Sequence, residues 1–284
     1  MHTWDKAAER WHLEGLGRAR ETLRREAQLL RWLWPRIAAH RLVEIRRAVI
    51  LDLRQQALAE GWSNRSANYL TQLVCTVLRA AHDWEWISTP PPRIKPLRLP
   101  PPRERWLTPA QAAELLAALP PTVADMASLA LDTGLRRGNI TGLRWEWIDL
   151  ATGTILIPGA AMKARKPLAV PIASPEAEAV LLRWRGRRLP GCPYVFHNQG
   201  KPILQPNGKA WLRTLERLGF DDFRWHDLRH TWASWHVQAH TDLRVLQDMG
   251  GWKTPSMVSR YTHLNTRQTR EAAASMAGWR SVAA

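Results

Sequence analysis

Two basic residues in the middle of the chain stand where they could act on an anionic substrate. Arg136 follows Gly134, which is predicted to end a helix, and the next helix could turn its N-terminus toward the same anion. Lys163 lies in a basic turn between two predicted strands, where its amine could protonate a leaving oxygen. Taken alone, each segment is read more simply as protein surface: an ordinary helix-turn-helix with exposed arginines, and a solvated basic turn.

A histidine and an arginine share a predicted helix face nearer the end of the chain. His226 and Arg229 are three residues apart, so they face the same side of a helix. The pair suits a phosphate, because arginine is a permanent forked cation and histidine can donate or exchange a proton. His226 and His230 could instead bind a metal, but the sequence has no HExxH motif, no third ligand at a convincing spacing and no cysteine cluster. We therefore predict neither a metal nor a cofactor.

A tyrosine, Tyr261, follows these segments. It stands in the string RYTH, after the pair Gly251-Trp252, and it is one of three tyrosines in the chain. A lone tyrosine near the end of a chain is normally a packing residue, so a chemical role for Tyr261 depends on the other segments.

Taken together, the four segments resemble the tyrosine recombinases, the family that includes the phage integrases and the Cre and Xer recombinases. The family's first arginine motif matches the string TGLR that ends at Arg136, and its β-hairpin lysine matches Lys163. Its HxLR box matches the segment from His226 to Arg229, and the glycine and tryptophan ahead of RYTH match the segment before its nucleophile. The resemblance covers nearly the whole chain and implies one catalytic set: Arg136, Lys163, His226, Arg229, Trp252 and Tyr261.

The resemblance implies a site-specific DNA recombinase or integrase that works through a 3′-phosphotyrosine. Tyr261 would attack the phosphorus and release a 5′-hydroxyl, while the two arginines grip the non-bridging oxygens. Lys163 would protonate the leaving oxygen, and His226 is a candidate acceptor of the tyrosine proton. Trp252 would donate a hydrogen bond to the phosphate. The implied partners are double-stranded recombination sites and a homotetramer on DNA, with accessory DNA-bending factors as a further option.

Two other functions stay open. A type IB topoisomerase-like enzyme would use the same chemistry without strand exchange, and a DNA-binding module would carry an inert site. The complete catalytic set argues against the inert module.

Two positions in the predicted site depart from the family pattern. Asn139 stands where many relatives carry an acidic residue, so it cannot supply that negative charge, and Trp252 stands where many carry a histidine.

The composition favours a polyanionic partner. The 284 residues include 41 Lys and Arg against 25 Asp and Glu, a net charge of +16, and such an excess is typical of nucleic-acid binding. An anionic membrane surface would require a concentrated basic amphipathic helix, whereas here the charge is spread along the chain. With two cysteines, no signal-like start and no apolar run long enough to cross a membrane, the sequence predicts a cytoplasmic protein.

The elements that must position these residues are predicted to form two domains. Residues 1–88 indicate a helical, core-type DNA-binding bundle, and 89–104 a basic Pro-rich linker that cannot be the interior of a helix or sheet. Residues 105–284 mix helices with short strands, as expected of the catalytic domain, so the fold class is mainly α with a small β-sheet (α+β). The bundle begins almost at Met1, which predicts either a two-domain form or a shortened piece of a longer protein. An Ala-rich helix over 266–276 is expected to dock on a neighbouring protomer, with packing in cis on its own domain as the alternative.

Overall fold

The computed structural model describes residues 2–101, 103, 105–162 and 165–262. Lys163 and the predicted helix over 266–276 therefore lie outside the described residues. The chain divides into two compact units between Pro102 and Arg103, and each unit has its own apolar core. The predicted fold class, mainly α with a small β-sheet, is confirmed. No helix in the described ranges has the length and apolar composition that crossing a lipid bilayer requires.

The first unit is a bundle of four helices. Their apolar faces meet around fully buried side chains such as Trp4, Leu33 and Leu70. The last helix is capped at its start, because the Ser63 hydroxyl accepts a hydrogen bond from the Ser66 amide at 3.2 Å. Residues 42–44 form a separate 3₁₀ turn ahead of the third helix. The helices are α1 Trp4–Glu14, α2 Arg20–Ile37, α3 Arg47–Ala59 and α4 Asn64–Asp83.

The Pro-rich segment after α4 is extended and packs on the first unit. The Asn68 side chain of α4 makes two hydrogen bonds with the backbone of Leu97. It donates to the Leu97 carbonyl at 2.9 Å and accepts from the Leu97 amide at 2.7 Å. Arg54 of α3 donates to the carbonyl of Lys95 at 3.0 Å. Proline leaves the carbonyls of such a segment without strand partners, so side chains of α3 and α4 satisfy them instead. The segment is thus held against the bundle at least as far as Arg98, whose carbonyl accepts from Asn64.

The second unit is built around helices packed beside a small sheet. A capping box starts its first helix: the Thr108 hydroxyl accepts from the Gln111 backbone amide, and the Gln111 side chain accepts in return from the Thr108 backbone amide. The helices are α5 Pro109–Ala118, α6 Pro121–Thr133, α7 Arg137–Thr141, α8 Pro175–Gly186, α9 Lys209–Arg217, α10 Trp225–Gln238, α11 Leu243–Gly250 and α12 Ser256–Ser259.

Strands of the second unit form two antiparallel sheets. The larger has the order β1 Ile148–Asp149, β2 Thr154–Ile157 and β3 Leu168–Pro171, with Ile155 paired to Val170 on the buried face. The three strands agree with the strands predicted over this region. The smaller sheet pairs β4 His197–Asn198 with β5 Lys201–Pro202. A two-residue Gln-Gly turn joins this pair, and such short strands carry no alternating pattern that sequence could reveal.

Helix α6 lies at the centre of the second unit, packed against α8 and α10. Its buried side chains include Met126, Leu129 and Ala130, which join one core with residues from the sheet and from α10. Because α6 and α10 each carry a segment of the predicted site, this core holds the C-terminal end of α6 close to α10.

Asp132→Asn should stabilise the second unit at neutral pH. Asp132 is half-buried on α6, and burial together with the nearby Glu176 carboxylate raises its pKa from 3.8 to about 6. Because the folded value exceeds the unfolded one, the ionised side chain is destabilising once the pH rises through this range, and the penalty is absent below 3.8. After discounting for partial exposure to water, we expect a gain of about 1–2 kcal/mol near neutral pH. Thermal unfolding at neutral and strongly acidic pH measures it, and an equal gain at both would contradict this explanation.

Candidate active site

Arg229 is buried and held by two backbone carbonyls. It lies on α10 with 3% of its surface exposed, and its two terminal nitrogens donate to the carbonyls of Gly134 and Gly250, both at 2.6 Å. Gly134 caps α6 and Gly250 ends α11, so these carbonyls belong to helix C-termini that lack intrahelical partners and carry partial negative charge. Burial, with Arg136 nearby, lowers the pKa of Arg229 to about 9, which leaves it a cation at neutral pH.

Two glycines make this arrangement possible. Gly134 has φ +62°, and a Cβ there would fall 2.3 Å from the ring of Trp232. Gly251 has φ +60°, and a Cβ there would fall 3.1 Å from Leu168 of β3. Both positions combine a left-handed backbone with a close neighbour, so only glycine fits without strain.

Arg136 is placed by the turn between α6 and α7. It is the N-cap of α7 in an extended conformation, and one terminal nitrogen donates to the carbonyl of Gly251 at 3.4 Å. Burial lowers its pKa. The carbonyls beside Arg136 and Arg229 are neighbours in the chain, so the two guanidinium groups converge on the end of α11.

Asn139 lies one turn into α7 and reaches toward the hairpin. Its amide donates to the sulfur of Met162 at 3.4 Å. Met162 immediately precedes Lys163, which lies outside the described residues. Met162 and Lys166, on either side of it, line a groove that Gly251 and Trp252 also line. The described residues that flank Lys163 therefore border the site, and the Asn139 amide makes a neutral contact with one of them.

Tyr261 follows α12 and is 5% exposed. Its ring belongs to a small apolar cluster formed by α10, α11 and α12, which includes Trp232, Leu246 and Val258. Its hydroxyl lies 2.5 Å from Nδ1 of His230. Packing fixes the ring while the hydroxyl meets a polar partner, which is the arrangement that a positioned nucleophile requires.

His226 and His230 lie one turn apart on α10, with their rings edge to face at 5.0 Å. Burial and the nearby arginines Arg229, Arg136 and Arg260 lower the pKa of His226. Burial also lowers the pKa of His230, to about 3, with further contributions from His226 and from nearby arginines. His230 is therefore neutral at physiological pH. The sequence analysis considered His230 only as a metal ligand. Its position one helical turn after His226 was the feature that could have placed it in the active site.

Trp252 packs over the Arg229 guanidinium. Its ring lies 4.1 Å from the Arg229 guanidinium carbon and stacks on Trp232 at 5.9 Å. A cation over an aromatic face is favourable, and the ring also keeps water from one side of the guanidinium group. The structure thus adds a packing contact to the phosphate hydrogen bond predicted for Trp252. Trp232, which sequence reasoning did not single out, supports both Trp252 and the turn at Gly134.

The start of α10 is fixed by charged contacts. The Asp227 carboxylate accepts from the Arg224 amide at 2.8 Å, which caps the helix, and pairs with Arg103. Arg103 also pairs with Asp222, and its carbonyl accepts from Arg260 at 3.5 Å. These contacts set the direction of the helix that carries His226, His230 and Arg229.

The structure therefore brings five of the six predicted residues together from distant parts of the second unit, and the sixth lies outside the described residues. Across the described ranges, no group of three or more His, Cys, Asp or Glu side chains is arranged to hold a metal ion. One histidine of the suspected metal pair instead meets the Tyr261 hydroxyl. The described part of the site therefore places the Arg136 and Arg229 cations in the same site as the buried Tyr261 hydroxyl.

Comparison with known proteins identifies relatives of this arrangement. The model of the phage integrase family matches residues 105–268, more than half of the chain. The integrase of Salmonella phage P22 is 33% identical over 211 residues, which cover 70% of this chain and 53% of that protein. Tyrosine recombinase XerA of Pyrococcus furiosus is 27% identical over 222 residues, which cover 75% of each chain. The match thus spans about half the length of the P22 integrase.

Solved structures share the fold. The Tn1549 transposon integrase in complex with transposon right end DNA superposes with a TM-score of 0.78 at 17% identity, covering 96% of this chain and 100% of that one. A lambda integrase tetramer bound to a Holliday junction gives a TM-score of 0.73 at 17% identity, covering 92% of this chain and 77% of that one. At such low identity these structures support the fold alone.

The names of the relatives, integrase and tyrosine recombinase, confirm the predicted family. With the family model aligned over every described residue of the site, the chain belongs to the phage integrase family.

Proposed function

We propose that this chain is a site-specific DNA recombinase that cleaves and rejoins strands through a 3′-phosphotyrosine at Tyr261. One observation carries the proposal. The Tyr261 hydroxyl lies 2.5 Å from a histidine nitrogen on the same helix as Arg229, whose cation is anchored by two backbone carbonyls. A fixed hydroxyl beside fixed cations suits attack on a phosphodiester.

The arginines would bind the non-bridging oxygens of the scissile phosphate. Negative charge grows on these oxygens in the transition state, and donors that are already oriented stabilise it without further reorganisation. The carbonyls that hold Arg229 use two of its five N–H groups, and the others can face the phosphate. Arg136 adds a second guanidinium, and His226 and Trp252 add further hydrogen-bond donors to the phosphate.

Cleavage would transfer the phosphoryl group between two oxygens. The Tyr261 oxygen forms a bond to phosphorus, the bond to the 5′-oxygen breaks, and Lys163 protonates that oxygen as it leaves. The phosphotyrosine keeps the energy of the broken ester, so rejoining by a 5′-hydroxyl requires neither ATP nor another cofactor. Lys163 is assigned this role by the family motif and by the flanking residues that border the site groove.

Strand exchange between two duplexes requires four cleavages, and each protomer carries one proposed nucleophile. We therefore assign the active form as a homotetramer on two double-stranded recombination sites, as in the lambda integrase tetramer on a Holliday junction. The net charge of +16 supports binding to DNA. Accessory DNA-bending factors are compatible with this assembly, and the two cysteines favour the cytoplasm. A topoisomerase-like activity without exchange is less favoured, since the relatives are integrases and recombinases.

We keep the domain bounds as part of the proposal: 1–88 for the core-type DNA-binding bundle, 89–104 for the linker and 105–284 for the catalytic domain. Two observations concern the linker and its end. The basic Pro-rich segment has its carbonyls bound by α3 and α4, and the contact boundary falls between Pro102 and Arg103.

A nicked substrate should trap the protein on DNA even in the presence of EDTA. When the nick lets the short 5′-hydroxyl fragment diffuse away, rejoining is blocked and the phosphotyrosine accumulates. We expect a denaturation-resistant adduct at the 3′-phosphate and the same yield with and without chelator, because arginines occupy the role that a metal fills in many nucleases. Loss of the adduct in EDTA, restored by a divalent ion, would contradict this mechanism. Synapsis of two differently labelled duplexes then separates recombination from topoisomerase-like cleavage.

A further inference from the structure

We propose that His230 is a catalytic residue, whose Nδ1 accepts the proton of the Tyr261 hydroxyl when that oxygen attacks the scissile phosphate. This role goes beyond the six residues implied by the family motifs, among which His226 was the candidate acceptor of the proton. It rests on the proposed function, because it takes Tyr261 as the nucleophile. The contact that motivates it is the 2.5 Å distance between His230 Nδ1 and the Tyr261 hydroxyl oxygen.

Both partners of this contact stand on anchored elements. His230 follows Arg229 on α10, and the bonds from Arg229 to the carbonyls of Gly134 and Gly250 fix that turn of the helix. The Tyr261 ring is buried in the apolar cluster and lies 5.8 Å from the His230 ring. The His226 ring packs edge to face on the His230 ring at 5.0 Å. The hydroxyl and the nitrogen are therefore held in reach of each other before DNA binds.

The protonation state of His230 suits a proton acceptor. The ionisable groups that face it are His226 and Arg229 on α10, Arg260 beside Tyr261, and Arg103. Burial, reinforced by these groups, lowers the pKa of His230 to about 3, so the imidazole is neutral and one ring nitrogen is an acceptor. Binding of the scissile phosphate brings negative charge to the arginines. The repulsion that disfavours imidazolium then falls, so the proton affinity of His230 rises when substrate is present.

The reaction balances without another reactant. The Tyr261 oxygen forms its bond to phosphorus, its proton moves to His230 Nδ1, and the bond from phosphorus to the 5′-oxygen breaks, with the leaving oxygen protonated by Lys163. In rejoining, a 5′-hydroxyl attacks phosphorus and gives its proton back to the Lys163 amine, the bond to the tyrosine oxygen breaks, and His230 returns its proton to that oxygen. His226 keeps its role as a donor to the phosphate.

The test measures single-turnover cleavage by His230→Asn, with His226→Asn, one helical turn away, as the matched variant. An asparagine at 230 can still hydrogen-bond to the Tyr261 hydroxyl but cannot take its proton. The substrate carries sulfur in place of the 5′-bridging oxygen, so departure needs no acid and the attack step is isolated. We expect His230→Asn to slow single-turnover cleavage by about 10²–10⁴-fold with unchanged DNA binding. Its rate should climb about tenfold per pH unit, because hydroxide must now remove the proton.

Cleavage by His230→Asn at the wild-type rate, with the wild-type pH profile, would overturn the inference. Tyr261→Phe, measured on the same substrate, separates this failure from failure of the proposed function. If Tyr261→Phe is inactive and His230→Asn is normal, the nucleophile stands and His230 is not the base. If Tyr261→Phe still cleaves, the proposed function itself fails.

The pH dependence of stability tests whether His230→Asn is folded. The pKa of His230 is depressed from 6.5 in the folded state, so its contribution to stability is present above 6.5 and is lost as the pH falls toward 3. His230→Asn should therefore lose less stability than wild type on acidification, as measured by denaturant unfolding. If the Asn variant is poorly folded at neutral pH, His230→Gln replaces it in the kinetic comparison, since it also offers an amide without a basic nitrogen.

Discussion

Tyr261→Phe is expected to abolish strand cleavage while DNA binding stays almost intact. The ring keeps its place in the apolar cluster and only the hydroxyl beside His230 is lost, so the change removes the nucleophile with little effect on packing. Covalent trapping on a nicked substrate measures the loss, and electrophoretic mobility of the protein–DNA complex measures the retained affinity. This is the largest effect we expect from a single substitution, because no other group replaces the attacking oxygen.

The matched control is Tyr194→Phe. Tyr194 lies in the same unit and is half-buried, and its ring is 5.4 Å from the guanidinium carbon of Arg144. Its hydroxyl has no part in the proposed reaction, so this variant should cleave like wild type. Normal cleavage by Tyr261→Phe, or equal loss in both variants, would count against Tyr261 as the nucleophile.

Lys163→Ala should slow cleavage of an ordinary phosphodiester by about 10²–10⁴-fold, the usual contribution of a general acid. The defect should largely disappear when sulfur replaces the 5′-leaving oxygen, because a thiolate departs without a proton. Single-turnover cleavage of both substrates measures the ratio. This selective rescue is the reverse of the behaviour expected for the base variant at His230, whose defect persists on the sulfur substrate.

Lys166→Ala is the control for the lysine. Lys166 is exposed on the same hairpin connection and lines the groove that Trp252 also borders. If Lys163 is the acid, loss of the Lys166 amine should leave the sulfur-to-oxygen ratio unchanged. A sulfur rescue seen for Lys166→Ala but not for Lys163→Ala would transfer the general-acid role to Lys166.

Local sequence rules determined much of the fold. The caps at Ser63 and Thr108 and the helix end at Gly134 were predictable, because each depends on hydrogen bonds or backbone angles within a few residues. The strands around the hairpin followed from their short apolar runs between turns. The family and the general fold class could also be predicted, since the four motifs carry them in residue type and spacing.

The sequence by itself therefore determined the chemical groups and the elements that carry them, whereas tertiary structure decided which groups meet. The bond from Arg229 to Gly134 joins residues 95 apart, and that from His230 to Tyr261 joins residues 31 apart. No local pattern records such pairings, because they depend on how α6, α10 and α11 bury their apolar faces together. The same burial sets the charge of His230, since neutral imidazole is favoured only where water is excluded and cations are close.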